Sequence, residues 1–387
     1  MVAGESRAPR NSDGVQPNLP KIAPVAANES RVDVSANEVR VSVVLPVLNE
    51  EKDIGRLLHE VLAQQPPAGG FEVIVVDGGS TDRTRDIVSE LRCSWSNLYL
   101  MDNPRRLSSA GRNIGAFWAR GEYVMFLDGH CSIPRNDYLV RMVDIFSSTG
   151  AACLCRPQPL KNLATGPWAR AIAAARHSRL GHNPGSDIYS DTPAFCNPGS
   201  AGAAYARKYI IELAGYDERF DACEDVEFNQ RVARAGLTSY RHPDLAIYYQ
   251  PRASLATLFG QMARYGRGRA RLMARHTDAI PWPLVIMTLG VSLAILLIAL
   301  AYWRIVGTAV GAVVALAIVI FTLEGFRVGG FSKVSVRTSF ALVVVCFALV
   351  VGFWQGLMEF PRFRRPRENV QIPQPGRRDE SGESEPQ

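Results

Sequence analysis

Between residues 40 and 130 the apolar positions fall in short unbroken runs separated by amphipathic stretches. Residues 41–48 (VSVVLPVL) are apolar and β-branched almost throughout, the pattern of a strand buried on both faces. Asn49-Glu50-Glu51 then opens a segment with Ile54, Leu57, Leu58, Val61 and Leu62 at helical spacing. Residues 71–76 form a second strand, closed by Asp77-Gly78-Gly79-Ser80. Thr81 or Asp82 supplies a cap for a helix carrying Ile87, Val88 and Leu91. A short strand at 98–101, a helix around 109–120 and a strand at 123–127 continue the alternation. Strands alternating with helices predict an α/β domain with a mostly parallel sheet and right-handed crossovers. Ligands of such sheets lie beyond the carboxyl ends of the strands, where Asn49, Asp77 and Asp128 all fall.

The pattern then changes twice. Residues 197–204 (NPGSAGAA) and 215–218 read as turns, and 224–235 as a helix. Leu255, Leu258, Phe259 and Met262 recur at helical spacing beside Arg264, Arg267 and Arg269, which predicts an interfacial helix with a basic face. From residue 284 onward, the stretches 284–303, 305–323 and 338–358 hold no charged residue. Each is about the length that crosses a ~30 Å hydrocarbon core. Trp282, Tyr302, Trp303 and Trp354 lie near their ends, as interfacial aromatics do, and Gly307 with Gly311 has the spacing of a helix-packing face. The chain therefore divides into a disordered segment 1–39, an α/β domain 40–253, an interfacial region 254–281, a transmembrane region 282–360 of about three apolar segments, and a basic, then polar, disordered tail 361–387.

A cytosolic α/β domain puts Arg304 outside and Arg327, Lys333 and Arg337 inside, as the positive-inside rule prefers. A third crossing then carries Arg362, Arg364, Arg365 and Arg367 outside, against the rule. Either the third segment is re-entrant or the rule fails, and the sequence leaves both open.

Composition removes several classes. The net charge of +6 over 387 residues is too modest to point to nucleic acid. The arginines crowd instead around residues 264–275 and 362–367, beside apolar sequence, where anionic headgroups would meet them. Seven scattered cysteines lack paired metal-ligand spacing and read as reduced thiols, which fits the cytosol. No apolar h-region follows Arg7 and Arg10, so no signal peptide is expected. The chain has no G-x-x-x-x-G-K-[ST], G-x-G-x-x-G or G-x-S-x-G, which removes the usual support for P-loop, dehydrogenase and hydrolase readings.

Two acidic clusters carry the candidate chemistry. Asp128-Gly129-His130 ends an apolar strand. Alternate residues of an extended segment point the same way, so Asp128 and His130 can share a divalent metal, Mn2+ or Mg2+, with diphosphate oxygens. Glu224 and Asp225 open a helix, where acidic residues suit the macrodipole and can also serve as a general base. Asp77 reads equally as a turn former before Gly-Gly or as a carboxylate for a nucleotide's imide or ribose.

Five segments, VSVVLPVLNEE, VIVVDGGSTDRT, AGRNIGA, YVMFLDGH and EDVEFNQR, together resemble family 2 glycosyltransferases of the GT-A fold, a Rossmann-like nucleotide-sugar-binding architecture. They cover roughly residues 40–240 in the family's order. The C-terminal part, with RYGRGR before apolar segments, is similar to bacterial exopolysaccharide glycosyltransferases of the succinoglycan type. The resemblance implies that Pro46, Asn49, Glu50 and Asp77 line the nucleotide pocket, and that Arg106, Gly111 and Asn113 lie near ribose and phosphate. It implies that Asp128 and His130 hold the metal and that Asp225, beside Glu224, is the base. Gln261, Arg264 and Tyr265 resemble a Gln-x-x-Arg-Trp element, with Tyr in place of Trp, and the metal motif departs from the commoner D-x-D. The implied activity is inverting, metal-dependent transfer from a nucleotide-sugar, taken as a UDP-sugar, to a lipid-linked saccharide acceptor at the cytoplasmic membrane. Rivals are a processive polysaccharide synthase, a polyprenyl-phosphate glycosyltransferase and an inactive nucleotide-sugar-binding scaffold.

Overall fold

The computed structural model describes residues 39–364 apart from 159–165, 179–180, 182–189, 201, 250–253, 277–279, 301–306 and 331. These residues belong to one unit, Asn37–Gln387. The expected disorder of 1–38 and of 365–387, and the positions of Tyr302, Trp303 and Arg304, lie outside the described residues; the first residues of the expected disordered tail 361–387 are instead ordered, since Phe360–Arg364 is a short helix whose Phe363 is buried.

The alternation of the first half is observed. Strands β1 (Val41–Val47), β2 (Phe71–Asp77), β3 (Leu98–Asp102) and β4 (Tyr123–Phe126) pair in parallel in the order β3-β2-β1-β4. Helix α1 (Ile54–Leu62) buries all five apolar residues that its spacing singled out. Helices α2 (Thr84–Arg92) and α3 (Ser108–Trp118) follow β2 and β3. Thr81 does not cap α2. Its amide donates instead to Asn49 Oδ1 at 2.8 Å, while Asp82 Oδ1 accepts the Thr84 amide at 3.0 Å.

Beyond β4 the sheet becomes mixed. The chain passes through β5 (Cys131–Ser132), α4 (Tyr138–Thr149), β6 (Cys153–Cys155), α5 (Pro167–His177), β7 (Ala194–Phe195), β8 (Gly202–Ala206) and α6 (Arg207–Glu212). Helix α7 (Glu224–Arg234), β9 (Ser239–Arg241) and β10 (Tyr248–Tyr249) complete the domain. The eight-stranded order is β3-β2-β1-β4-β8-β6-β9-β7, with β8 antiparallel to both β4 and β6. The expected glycine-rich turn at 197–204 is therefore half wrong. Gly202, Ala203 and Ala204 lie in a buried strand at the middle of the sheet. Their small side chains let α7 close onto it: a Cβ on Gly202 would sit 2.5 Å from Asn229 Oδ1. Small residues here serve close packing, a need that local sequence cannot distinguish from a turn.

Four long helices follow: α8 (Leu255–Arg275), α9 (Trp282–Leu300), α10 (Gly307–Gly329) and α11 (Lys333–Met358), then a short α12 (Phe360–Arg364). Two of them, α10 over Val310–Val328 and α11 over its full length, are long and apolar enough to cross a membrane; α9 is shorter in its apolar part. The expected apolar face of α8 is covered rather than open, because Leu258 and Met262 pack against Ala341, Leu342, Val345 and Ala348 of α11 and Ile172 of α5. Nor is the basic face wholly free. Arg271 pairs with both Asp221 and Glu359, and Arg267 reaches Asp221 at 3.6 Å. Gly311 faces open space, so the helix-packing role belongs to other glycines. A side chain on Gly266, Gly352 or Gly356 would collide with backbone across the α8–α11 contact, which explains how these helices approach so closely. Among the described residues all seven cysteines are free thiols, and Cys153 and Cys155 are buried as expected.

Candidate active site

Three loops at the carboxyl ends of β1, β2 and β4 are stitched together before any ligand is considered. Asn49 sits at φ 56°, donates its amide to Ser80 Oγ at 2.9 Å and accepts from Thr81 through its side chain. Glu50 donates its amide to Thr84 Oγ1 at 2.8 Å and aims its carboxylate at His130. Pro46, near the end of β1, lies beyond the residues that β4 pairs and so costs no ladder bond there. Asp77 is fully buried and accepts from Gly79, Ser80 and Arg85, the last at 2.9 Å. Burial opposes its charge, but these bonds hold its carboxyl below the usual carboxylate range. Its turn-forming role is thus directly visible.

The two acidic clusters, far apart in sequence, are joined by one side chain that the motif reading passed over. Arg112 reaches in from α3, its Nη2 3.0 Å from Asp128 Oδ1 and its Nε 3.5 Å from Glu224 Oε1. The guanidinium also lies over the rings of Phe126 and Tyr216, 5.4 and 5.7 Å from their centroids. Burial works against its charge, yet Asp128, Glu224 and Asp225 together raise its pKa. Asp128 is lowered in turn: burial opposes ionisation, and Arg112, His130 and Arg156 overcome it. Glu224 goes the other way, pushed up to about 7 by burial despite Arg112, with Asp225 and Asp128 adding repulsion. Asp225, its neighbour in the first turn of α7, is exposed.

Arg156 was also missed. It follows β6, is 5 % exposed, donates from Nη1 to the Phe126 carbonyl at 2.5 Å, and adds positive potential at Asp128. A charged residue that closes an apolar strand, or interrupts the buried face of a helix as Arg112 does, was the available signal for both.

His130 is placed by Glu50, whose Oε1 lies 3.1 Å from Nδ1. Its other nitrogen, Nε2, is buried with no hydrogen-bond partner. Burial opposes a charge on the ring, but the Glu50 carboxylate, with Tyr249 and Asp128, raises its pKa to about 10. A carboxylate on one ring nitrogen and a vacant second nitrogen is the usual dress of a metal-ligating histidine, once its proton is released. Gly129 permits the arrangement, since a Cβ there would lie 2.8 Å from Glu50 Cγ. Among the described residues no three His, Cys, Asp or Glu side chains gather to hold an ion alone. A cation held by Asp128 and His130 would need further ligands from outside these side chains, such as a bound molecule's phosphates.

The remaining candidates divide. Arg106 is exposed at the rim in a left-handed conformation, φ 62°. Gly111 and Asn113 are buried on α3. A Cβ on Gly111 would meet Pro46 Cβ at 3.0 Å, so its smallness seats α3 on β1. Asn113 is buried, donates to the Tyr216 carbonyl and Glu218, and accepts the Tyr216 amide at 2.7 Å; its amide is committed to holding the turn before α7. Gln261 is buried against Tyr249 and Tyr265, with Nε2 3.3 and 3.4 Å from their hydroxyls, and its Oε1 has no partner. Tyr249 pairs beside Cys131 through the β5–β10 ribbon and meets the His130 ring at 4.8 Å, so this cluster adjoins the Asp128 loop. Arg264 is exposed.

Helix α7 is tied to α8 through Glu227, which sits 3.1 Å from His276 Nε2 and 2.8 Å from Arg231 Nη2. Burial opposes its charge, but His276 and Arg231 hold its pKa down to about 2. A depressed carboxylate stabilises the fold above its ordinary pKa and loses that contribution as pH falls toward the folded value. Glu227→Gln is expected to lower the thermal midpoint at pH 7, and the gap from wild type is expected to close between pH 4.5 and about 2. Midpoints measured across that range in detergent check this; a constant gap would contradict it.

The model of glycosyl transferase family 2 matches residues 42–212, and that of glycosyl transferase family group 2 matches residues 134–355. The protein belongs to glycosyltransferase family 2 and is an enzyme of that class. It is similar to the succinoglycan biosynthesis protein ExoA of Rhizobium meliloti (strain 1021), with 30% identity over 83% of this chain and 96% of that protein. It is also similar to a dolichyl N-acetyl-alpha-D-glucosaminyl phosphate 3-beta-D-2,3-diacetamido-2,3-dideoxy-beta-D-glucuronosyltransferase of Methanococcus voltae, 25% identical over 62% of this chain and 76% of that one. Among solved structures, mannosyltransferase PcManGT from Pyrobaculum calidifontis in complex with GDP-Man and Mn2+ aligns with a TM-score of 0.57 at 18% identity, over 83% of this chain and 88% of that chain. That likeness is one of fold, and the fold is GT-A.

Proposed function

We propose that this glycosyltransferase is inverting and metal-dependent, and that it moves a sugar from a nucleotide-sugar, a UDP-sugar in the first instance, to a lipid-linked saccharide at the cytosolic face of the cytoplasmic membrane during surface polysaccharide assembly. The observation that carries the reading is the Asp128–Arg112–Glu224 bridge with Asp225 open beside it and the vacant His130 nitrogen alongside. The relatives' printed names, succinoglycan biosynthesis and a dolichyl-linked acceptor, support the acceptor class. The apolar helices support membrane attachment.

In this reading Pro46, Asn49, Glu50 and Asp77 line the nucleotide end of the cleft, with Arg106 at its rim. Asp225 takes the proton from the acceptor hydroxyl. The acceptor oxygen bonds to the anomeric carbon from the face opposite the diphosphate, whose bond to that carbon breaks, and the nucleoside diphosphate leaves with the electron pair. Asp128 and His130 would hold a divalent cation with the diphosphate, which supplies positive charge to the leaving group. Arg112 holds Asp128 and Glu224 in place, and Gln261 and Tyr265 sit where the acceptor enters.

Purified protein incubated with UDP-, GDP- and dTDP-sugars, Mn2+ and a membrane lipid extract is expected to release nucleoside diphosphate from one donor class, and only with acceptor lipid at full rate. Asp128→Ala and His130→Ala are each expected to lose Mn2+-dependent donor binding by calorimetry. Absence of release from every donor would overturn the proposal.

A further inference from the structure

Helix α11 has the length and hydropathy of a membrane span, but its surroundings do not suit one. Helix α8 lies lengthwise on the catalytic domain. Gln261 touches Tyr249, Tyr265 carries a carbonyl facing Cys223 Sγ, Gly268 abuts Ala222 and Cys223, Arg271 pairs with Asp221, and His276 meets Glu227. These contacts run over residues 261–276, about 22 Å of helix at 1.5 Å per residue. Helix α11 lies along the other side of α8 in the same direction. Ala263 faces Gly352, Arg267 faces Gln355 and Gly356, and Arg271 faces Glu359. The two helices share one axis direction, and the catalytic cleft borders it.

Ala263 is level with Gly352, within the uncharged stretch 338–358, so if that axis stood along the bilayer normal, Gln261, Tyr249 and the His130 ring beside it would be carried to hydrocarbon depth, where polar and charged groups are strongly disfavoured. The ends of α11 agree. Near its start, Arg337 stacks over Trp168 of α5 at 6.0 Å, and just past its end Phe363 is buried against Phe220, 5.3 Å between centroids, within the catalytic domain. Beside its contact with α8, α11 presents Val336, Phe340, Val343, Phe347, Trp354 and Met358, between 45% and 77% exposed, as one apolar stripe at helical spacing, with Phe347 at its edge 6.3 Å from the Phe259 ring of α8.

We propose that α11 does not cross the membrane: it lies in the plane of the cytosolic interface, with that stripe in the acyl-chain boundary, its other side on α8, and both ends on the catalytic side. The occupant of the stripe is lipid, because α9 and α10, which pack on α11 where Trp354 donates to Ser292 and Gly325 lies against Ser339, carry further exposed apolar side chains such as Leu289, Leu293, Leu316 and Ile320. A cytosolic end for α11 is what the positive-inside rule prefers for the arginine-rich sequence that follows it. The inference rests on the membrane attachment proposed above.

The full chain, tagged before residue 1 and after residue 387, is tested in sealed inside-out bacterial membrane vesicles. Both tags are expected to be removed by added protease without detergent. A C-terminal tag that is protected while the N-terminal tag is cut would overturn the placement of α11 and leave membrane attachment standing. Recovery of the chain in the soluble fraction would overturn attachment, and the placement with it. A benzophenone amino acid at Val343 is expected to cross-link lipid, and one at Ala341 to cross-link protein; protein adducts alone at Val343 would also overturn the placement.

Discussion

Asp225→Asn is expected to lower the rate of sugar transfer by about 10²–10⁴-fold, the usual worth of a positioned general base, while donor affinity is unchanged. The reason is local. Asp225, in the first turn of α7, is exposed, whereas Glu224 beside it is buried against Arg112. An asparagine keeps the shape and can still accept the Val226 amide that Asp225 Oδ1 now takes at 2.8 Å. It cannot take the acceptor's proton. Donor contacts, assigned to the loops after β1, β2 and β4, are untouched. Single-turnover transfer and calorimetry with the donor separate the two quantities. Glu224→Gln is the informative companion, since its group touches the Arg112 bridge and its effect is expected in stability as well as rate. Wild-type turnover in Asp225→Asn would remove Asp225 from the role of base.

Arg112→Ala is expected to destabilise the fold by about 3–5 kcal/mol, the cost of leaving a buried charge without its partner. The guanidinium is shielded from water, with the Asp128 carboxylate 3.0 Å away and Glu224 at 3.5 Å. Without it, the repulsion between the acidic clusters has no counter-ion and Asp128 loses the largest influence holding it ionised. Arg112→Lys is expected to fall between, because an ammonium keeps the charge but neither the fork nor the stacking on Phe126 and Tyr216. For a domain of this size the alanine variant corresponds to a midpoint lower by on the order of 10 °C. Thermal unfolding followed by circular dichroism in detergent measures it. An unchanged midpoint would show that the bridge carries no net stability.

Legibility followed the range over which each feature is determined. Strands β1, β2 and β4 are buried on both faces, so their sequences are continuously apolar and readable one segment at a time. Helices α1 and α7 carry their period or their acidic start within a few residues. Strand β8 was misread because its Gly-Ala-Ala run is small for the sake of α7, which arrives from residues later in the chain. Gly111 and Asn113 sit in a motif whose spacing is informative, yet one seats a helix and the other holds a turn. Arg112, between them, joins the acidic clusters. The face of α8 that its pattern offered to lipid is occupied by α11.

What the chain determined by itself was the alternation, the strand ends that collect Asn49, Asp77 and Asp128, and the apolar character of α9–α11, all properties of short-range periodicity and transfer free energy. Only the tertiary structure decided which charges meet. It brought Asp128 to Glu224 through Arg112, oriented His130 by Glu50, and laid α11 along α8. Those outcomes depend on distances between residues tens to hundreds of positions apart, and such distances are set by which apolar surfaces find one another on folding.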